Sequence, residues 1–423
     1  MGFFLTLVYI VVLFIRPQEF ITEIRGWPVL DFLAGFSMAA VFLEGDFRAD
    51  KFRISKLNTL IIWFWMALAF SQLANFWLGG ASLAFQTFGK VVIVYFLIVL
   101  TVDTWPKVRL LCWLLIFMGT FLAANSVYMY YTGVGLVGGE SLARTDASGE
   151  VIFQARGIGI FEDPNDLALS IIPMVSFVLP AFHKRFLSRT WLTGLIFLIP
   201  MVAGIIYTRS RGGILGLVGV VWVYFRKRIG MVAGIFAMLM VLSFLMVLPR
   251  MGEINTQEAS ARSRLEHWSN GLGLFRSNPL FGVGMLSFEK YDDQTAHNSL
   301  VLILAETGFV GTMLWIAMFY VCFRDMKRLH NLPNAPPFLD RALDGLEGAI
   351  IGWMVAAFFL SQTYKFLLYV LMGLLVAYQN ALANEGVPTT SNYVMKDLVF
   401  SAALTVGAVM FLYAALRVLW NVS

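Results

Sequence analysis

Three clusters of cationic and imidazole side chains stand in the polar segments between long apolar runs or at their ends. The first is Thr208-Arg209-Ser210-Arg211-Gly212-Gly213, between two apolar segments. Two arginines at a membrane face are costly without a partner, and a guanidinium binds phosphate through two parallel N–H bonds. The glycines let the backbone bend and approach a ligand. The bland alternative is a pair of arginines snorkelling from a helix end. The second cluster is Ser263-Arg264-Leu265-Glu266-His267-Trp268. Arg264, His267 and Trp268 fall near one helical face, offering a guanidinium for charge and an indole face for a sugar. An amphipathic interfacial helix anchored by Trp268 explains the same pattern. The third is His297-Asn298-Ser299-Leu300, followed by Gly308-Phe309-Val310-Gly311. With Thr295 or Asp293 as cap, His297 lies in a first helical turn, where the dipole favours the neutral ring. A neutral imidazole accepts a proton from an attacking hydroxyl. An adjacent diphosphate shifts that balance the other way, so the protonation state of His297 stays open. Gly308 and Gly311 suit close helix packing.

Weaker signals surround these. In Phe161-Glu162-Asp163-Pro164-Asn165-Asp166 the structural reading dominates: Asp163 suits an N-cap, Pro164 the first helical position and Asp166 the third. Arg156, just upstream, is the better ligand candidate, and Gln362, Tyr364 and Lys365 offer further sugar or phosphate contacts. Glu306 follows His297 by nine residues, which puts it ~13–14 Å deeper on the same helix and on another face. It is expected to pair with a buried cation or polar group, Lys90 being one choice.

The elements that position these groups must be membrane helices. Of 423 residues, 59% are hydrophobic and 13% charged, too little charge to cover a soluble domain of this size. Apolar runs at about 3–15, 29–43, 58–78, 83–103, 108–131, 165–182, 190–208, 212–225, 229–248, 297–323, 345–361, 366–383 and 398–420 give twelve or thirteen spans. The first reads as a retained helix, for it lacks a cationic leader and a small-residue cleavage site. Cys112 and Cys322 lie inside apolar runs and suggest neither disulfide nor metal. The net charge of +5 does not indicate nucleic acid. It reflects loops rich in Arg48, Lys51, Arg53 and Lys56; His183, Lys184, Arg185 and Arg189; Arg226, Lys227 and Arg228; and Arg324, Lys327 and Arg328. Under alternate crossing these share one side, which the positive-inside rule makes cytoplasmic. The loops 132–164 and 249–296 and the turns at 209–211 and 362–365 then face outward. The longer loop carries a helix-compatible stretch at 258–276, a small cap.

The expected architecture is therefore all-α, a polytopic bundle. Residues 1–248 form an N-terminal membrane part, 249–296 the cap and 297–423 the C-terminal helices. No metal-protease, P-loop or His/carboxylate metal spacing occurs along the chain. An outward site has no access to ATP or nucleotide sugars, so group transfer there needs a donor activated by a lipid-borne diphosphate.

With these motifs in order, the chain resembles the O-antigen ligase family, the WaaL-type members of the O-antigen ligase/polymerase superfamily. The carrying residues are Arg209, Arg211, Gly212 and Gly213; Arg264 and Trp268; and His297-Asn298-Ser299-Leu300 with Glu306-Thr307-Gly308 and Gly311. The similarity is best over about 150–325. It implies a GT-C-like, inverting, metal-independent glycosyltransferase without cofactor, at the periplasmic face of a bacterial inner membrane. It implies undecaprenyl-diphosphate-linked glycan as donor and lipid A–core as acceptor, in lipopolysaccharide biosynthesis. Family members usually have twelve spans, against the twelve or thirteen counted above.

Combining both lines, His297, Arg211 and Arg264 are the expected catalytic residues. Arg209, Arg156, Trp268, Asn298, Lys365 and Tyr364 are the expected substrate contacts. Rival readings are an O-antigen polymerase or a protein O-glycosylation ligase of the same superfamily. From other classes they are a secondary transporter, which would place charge or broken helices near the midplane, and a non-catalytic scaffold.

Overall fold

The computed structural model describes residues 1–136, 140–145, 151–183, 186–232, 234–235, 254–333, 336, 338–389 and 395–420. The helices in chain order are α1 (Gly2–Ile15), α2 (Val29–Leu43), α3 (Ala49–Arg53), α4 (Lys56–Leu73), α5 (Leu78–Thr101), α6 (Trp105–Thr132), α7 (Pro164–Val178), α8 (Arg189–Thr208) and α9 (Arg211–Ile229). Then come α10 (Ile254–Ser277), α11 (Ser299–His330), α12 (Leu339–Ala357), α13 (Phe366–Asn384) and α14 (Met395–Trp420). The all-α expectation holds, with one addition in the loop between α6 and α7. There β1 (Leu142–Thr145) and β2 (Val151–Gln154) pair antiparallel, Leu142 opposite Gln154.

Eight helices among the described residues are long and apolar enough to cross a membrane, which makes this a multi-pass membrane protein. The expected runs at 29–43, 58–78, 212–225 and 345–361 are helical but fall outside that set. Charge explains two of them: α9 carries Arg211, Arg226, Lys227 and Arg228, and α12 carries Asp340, Arg341, Asp344 and Glu347. α2 is short, at 15 residues. The expected span at 229–248 lies largely outside the described residues, as do Lys184 and Arg185.

The chain folds into two compact units that interleave in sequence. One comprises Met1–Glu44, Trp105–Ile254 and His330–Ala356; the other comprises Gly45–Thr104, Asn255–Leu329 and Ala357–Ser423. In the first, α6, α7, α8 and α9 pack on one another. A Cβ at Gly213 would lie 2.5 Å from the Ala168 side chain, so α7 and α9 touch nearly backbone to backbone at the start of α9. Away from that end, Arg226 pairs with Glu347 at 2.8 Å and Lys227 with Asp344 at 2.6 Å, tying α9 to α12.

In the second unit α13 runs through the core, 94% of its span buried, against α5. Its Asn380 donates to the Val99 carbonyl at 2.8 Å. The defining feature is a break in α11 at Gly308 (φ 61°, ψ −157°). A broken helix leaves backbone groups without partners, which apolar surroundings do not supply. The segment 279–284 supplies them. Phe309 and Val310 donate to the Pro279 and Leu280 carbonyls at 2.8 and 3.1 Å. Val283 and Gly284 donate to those of Ala305 and Glu306, both at 2.9 Å. Gly308 was expected to serve close helix packing; the structure instead makes it the seat of a docked loop. Polar side chains at and just after the end of α4 hold that loop from its other side. Gln72 donates to the Met285 carbonyl, Asn75 to that of Gly282 at 2.9 Å, and Ser71 accepts from Met285 N at 3.1 Å.

Any side chain at 308 meets both a glycine-only backbone conformation, worth about 1–3 kcal/mol of strain, and the Leu280 backbone 2.5 Å from its Cβ. Gly308→Ala is therefore expected to lower the thermal unfolding temperature of the purified protein. Gly273→Ala, on an open stretch of α10 where no atom lies within 4 Å of the new Cβ, should leave it unchanged or raise it.

Candidate active site

The first arginine cluster is shaped by capping. Asp163 accepts from Asn165 N at 2.7 Å and caps α7, with Pro164 at the first helical position, as its sequence implied. The chain leaves α8 through Arg209 in the left-handed conformation (φ 54°) and enters α9 through Ser210. The Ser210 hydroxyl accepts from Gly213 N at 3.1 Å and donates to Asn165 Oδ1 at 2.7 Å, which ties the starts of α7 and α9 together. Asp163 already balances the α7 dipole with a full negative charge. The start of α9 has only a neutral cap, with Arg209 half-buried before it and Arg211 exposed at its first position. Positive charge thus accumulates there, an arrangement that suits an anion. The β1–β2 hairpin joins the same end: Ala155 N donates to the Tyr207 carbonyl at 3.1 Å, bringing the backbone of Arg156 alongside α8. Arg156 Nε donates to the Glu140 carbonyl at 2.5 Å. Three rings, Tyr130, Tyr131 and Tyr207, cluster on this edge, the Tyr130–Tyr207 centroids 4.4 Å apart.

The second unit gathers the remaining site residues. Asn298, not Thr295 or Asp293, caps α11: its Oδ1 accepts from Leu300 N at 2.9 Å and Val301 N at 3.0 Å. His297 is accordingly displaced from the expected first turn. It precedes the cap in a left-handed conformation (φ 47°), with Nε2 3.3 Å from Gln294 Oε1. Asn298 is fully buried, and its Nδ2 has no hydrogen-bond partner among the described residues. Thr295 bonds Ser361 at 2.8 Å instead. Ser299 Oγ donates to the Leu360 carbonyl at 2.6 Å and accepts from Gln362 N at 2.9 Å. These bonds fasten the turn carrying half-buried Tyr364 and exposed Lys365 to the start of α11, so residues more than sixty positions apart share one corner.

Two expectations fail here. Trp268 does not offer its ring to a sugar. It is 5% exposed, packs with Leu265, Leu272, Phe288 and Val301, and meets Phe358 edge-on at 5.4 Å. The apolar face of α10 needs a large filler more than the solvent side needs a platform. Glu306 does not take Lys90 as its buried partner, for Lys90 is exposed. Its carboxylate accepts from Phe288 N at 3.0 Å, a backbone group of the docked loop. The Tyr364 hydroxyl is pushed well above its ordinary value by burial and then by the Glu306 charge, so it stays protonated.

The most ordered polar arrangement surrounds His267. Its Nδ1 lies 2.8 Å from Asp292 Oδ1, its Nε2 3.1 Å from Ser263 Oγ, and its ring centroid 6.1 Å from that of His297. Arg264, half-buried, follows Ser263 on α10. Burial alone would raise the Asp292 carboxyl, but hydrogen bonds from Asn270 and His267 outweigh it and hold the group below the ordinary carboxylate range. His267 lay in a motif singled out from sequence, but Asp292, 25 positions later, had no spacing rule to reveal it. With Asp293 these residues offer ligand atoms within 4.8 Å of one another, as do His330, Asp344 and Glu347. Folding thus creates His/carboxylate groups that the linear spacing did not show. In the first group His267 Nδ1 is engaged by Asp292; in the second, Lys227 sits between the carboxylates of Asp344 and Glu347.

Apolar helices, arginines at a neutrally capped helix start and a carboxylate-backed imidazole are the features of this multi-pass membrane protein. Residues 196–316 match the family Wzy_C, described as O-antigen ligase, and no curated protein matches the chain. The match spans Arg209, Arg211, Arg264 and His297. It supports membership of the chain in the O-antigen ligase/polymerase family, and with it a function of ligase/polymerase type at the level of lipid-linked glycan transfer.

Asp292 contributes stability through a lowered folded-state pKa. That contribution is fully present above its unfolded value of about 3.9 and is lost as pH falls through the folded one. Asp292→Ala strands the His267 N–H and is expected to cost about 1–3 kcal/mol at neutral pH. Thermal unfolding followed from pH 7 to 3 should show the gap between wild type and variant closing as the solution becomes acid.

Proposed function

We propose that the protein is an O-antigen ligase: an inverting, metal-independent glycosyltransferase that moves glycan from undecaprenyl diphosphate to lipid A–core. It would act at the periplasmic face of a bacterial inner membrane. The observation that carries this reading is the start of α9, where Arg209, Arg211 and a neutrally capped helix N-terminus concentrate positive charge. A diphosphate leaving group gathers negative charge as the glycosidic bond breaks, and fixed donors that meet it supply the largest share of catalysis.

The roles fall residue by residue. Arg209, Arg211 and Arg264 bind the diphosphate and stabilise the departing charge, with Arg156 assisting. His297 and the Asn298 amide orient the acceptor, and Tyr364 and Lys365 contact sugar or phosphate. The acceptor hydroxyl attacks the anomeric carbon on the face opposite the diphosphate, which gives inversion.

One observation favours a transporter, namely the broken helix at Gly308, since transporters build substrate sites at such breaks. Here the chain itself fills the break: Phe309, Val310, Ala305 and Glu306 spend these backbone groups on 279–284. This favours a structural break over a transport site.

Purified protein incubated with lipid-linked glycan and lipid A–core, with chelator present, should yield one glycan on the acceptor. Lengthened polymer on the carrier would mark a polymerase, and modified protein a protein ligase. Failure only when chelator is added would end the metal-free scheme. Arg211→Ala and Arg264→Ala should each lower turnover by at least about 10²-fold, the scale of a lost charge-stabilising donor, at unchanged expression. Full activity in either variant removes that arginine from the mechanism.

A further inference from the structure

Ser263 and His267 stand one helical turn apart on α10, and Asp292 reaches His267 from the docked loop. The His267 and Asp292 side chains are 6% and 4% exposed, whereas Ser263 is only half-buried. Asp292 is held ionised by its neighbours, so it can only accept hydrogen bonds. His267 Nδ1 must therefore carry the proton of the 2.8 Å bond. In the neutral ring Nε2 is then a lone-pair acceptor, and the Ser263 hydroxyl 3.1 Å away must donate to it. Asn270, three residues beyond His267, donates to the second carboxylate oxygen of Asp292 at 3.0 Å and fixes its orientation. The result is a hydroxyl, an imidazole and a carboxylate in series, with the hydroxyl at the accessible end. Such a series is known by its geometry and not by residue order.

We propose that Ser263, His267 and Asp292 form a proton relay that deprotonates the acceptor hydroxyl. This rests on the glycosyl-transfer reading above. The acceptor oxygen bonds to the anomeric carbon as its proton passes to Ser263 Oγ. The Ser263 proton passes to His267 Nε2 in the same event, so the serine ends as it began. The bond between the anomeric carbon and the diphosphate oxygen breaks, and its electron pair leaves with the lipid diphosphate. Asp292 stabilises the imidazolium until His267 returns its proton to solvent through Ser263. Among the described residues, the charged and titratable groups facing His267 from the neighbouring segments are Asp292, Asp293 at 3.9 Å and the His297 ring.

The chain holds four histidines, so full-length protein labelled with 15N-histidine and embedded in lipid gives a tractable NMR spectrum. The His267 signal is assigned by its loss in His267→Gln. At neutral pH it should show a protonated Nδ1 and a bare Nε2, and Asp292→Asn should change that pattern. A ring protonated at Nε2, or lacking a proton on Nδ1 as in a metal-bound ring, overturns the relay whatever the activity. In the transfer assay His267→Gln and Asp292→Asn should lower kcat by about 10²–10⁴-fold, the range for general-base catalysis, with donor KM unchanged. Ser263→Ala should show a similar kcat loss and Ser263→Thr should restore most of it. Should His267→Gln lose the fold, the Ser263 pair carries the kinetic test. Full kcat in a folded His267→Gln or in Ser263→Ala overturns the proposal. If the wild type transfers no glycan while the Nδ1-protonated ring is seen, the transfer reading fails and the hydroxyl-activating relay stands.

Discussion

A backbone interrupted in apolar surroundings must find donors and acceptors within the protein, because neither lipid nor hydrocarbon side chains provide them. At Gly308 this requirement is met by four backbone hydrogen bonds from 279–284, and the rest of the second unit is organised by that demand. Once 279–284 is seated on α11, the following loop is committed to pass between α4 and the start of α11. It presents Phe288 N to Glu306 and Asp292 to His267. Lys290 also settles 3.5 Å over the Trp77 ring. Residues that look like a connection are thus as firmly specified as a helix.

The two units solve different chemical problems. The first assembles positive charge from a sharp turn: a left-handed arginine, a serine cap and glycine-mediated contact between α7 and α9. The second assembles an oriented imidazole from a helix and a loop, in surroundings where a carboxylate stays ionised only because neighbours hydrogen-bond it. Exposed arginine in the one and buried histidine in the other follow from what each must do. A guanidinium can wait in water without losing its charge, whereas an imidazole fixed in one tautomer needs shelter.

Sequence made the local devices legible and left the distant ones hidden. Asp163 as N-cap, Pro164 behind it and the Arg209–Gly213 turn all obey short-range rules, and each appears as expected. The helix over 254–277 covers the stretch read as a cap. What failed was anything decided by tertiary packing. Trp268 was drawn inward because α10 has an apolar face to bury. His297 was pushed out of the helix because Asn298, whose side chain bonds two backbone N–H groups, wins the capping position. Lys90 was too exposed to answer Glu306, whose partner turned out to be a main-chain N–H that no composition or spacing can announce. Spans with several charges, such as α9 and α12, were counted by their apolar runs, while their ion pairs sit at one end.

The grip of α4 on the loop also sets a timetable for biogenesis. Gln72 meets Met285 across 213 positions of chain, and Asn380 meets Val99 across 281. At about 5–20 residues per second of synthesis, the amide of Gln72 waits roughly 10–40 s for its partner. Through that interval the nascent protein carries a polar helix end that is not yet answered. The insertion machinery must shelter it until about two thirds of the polypeptide has been made.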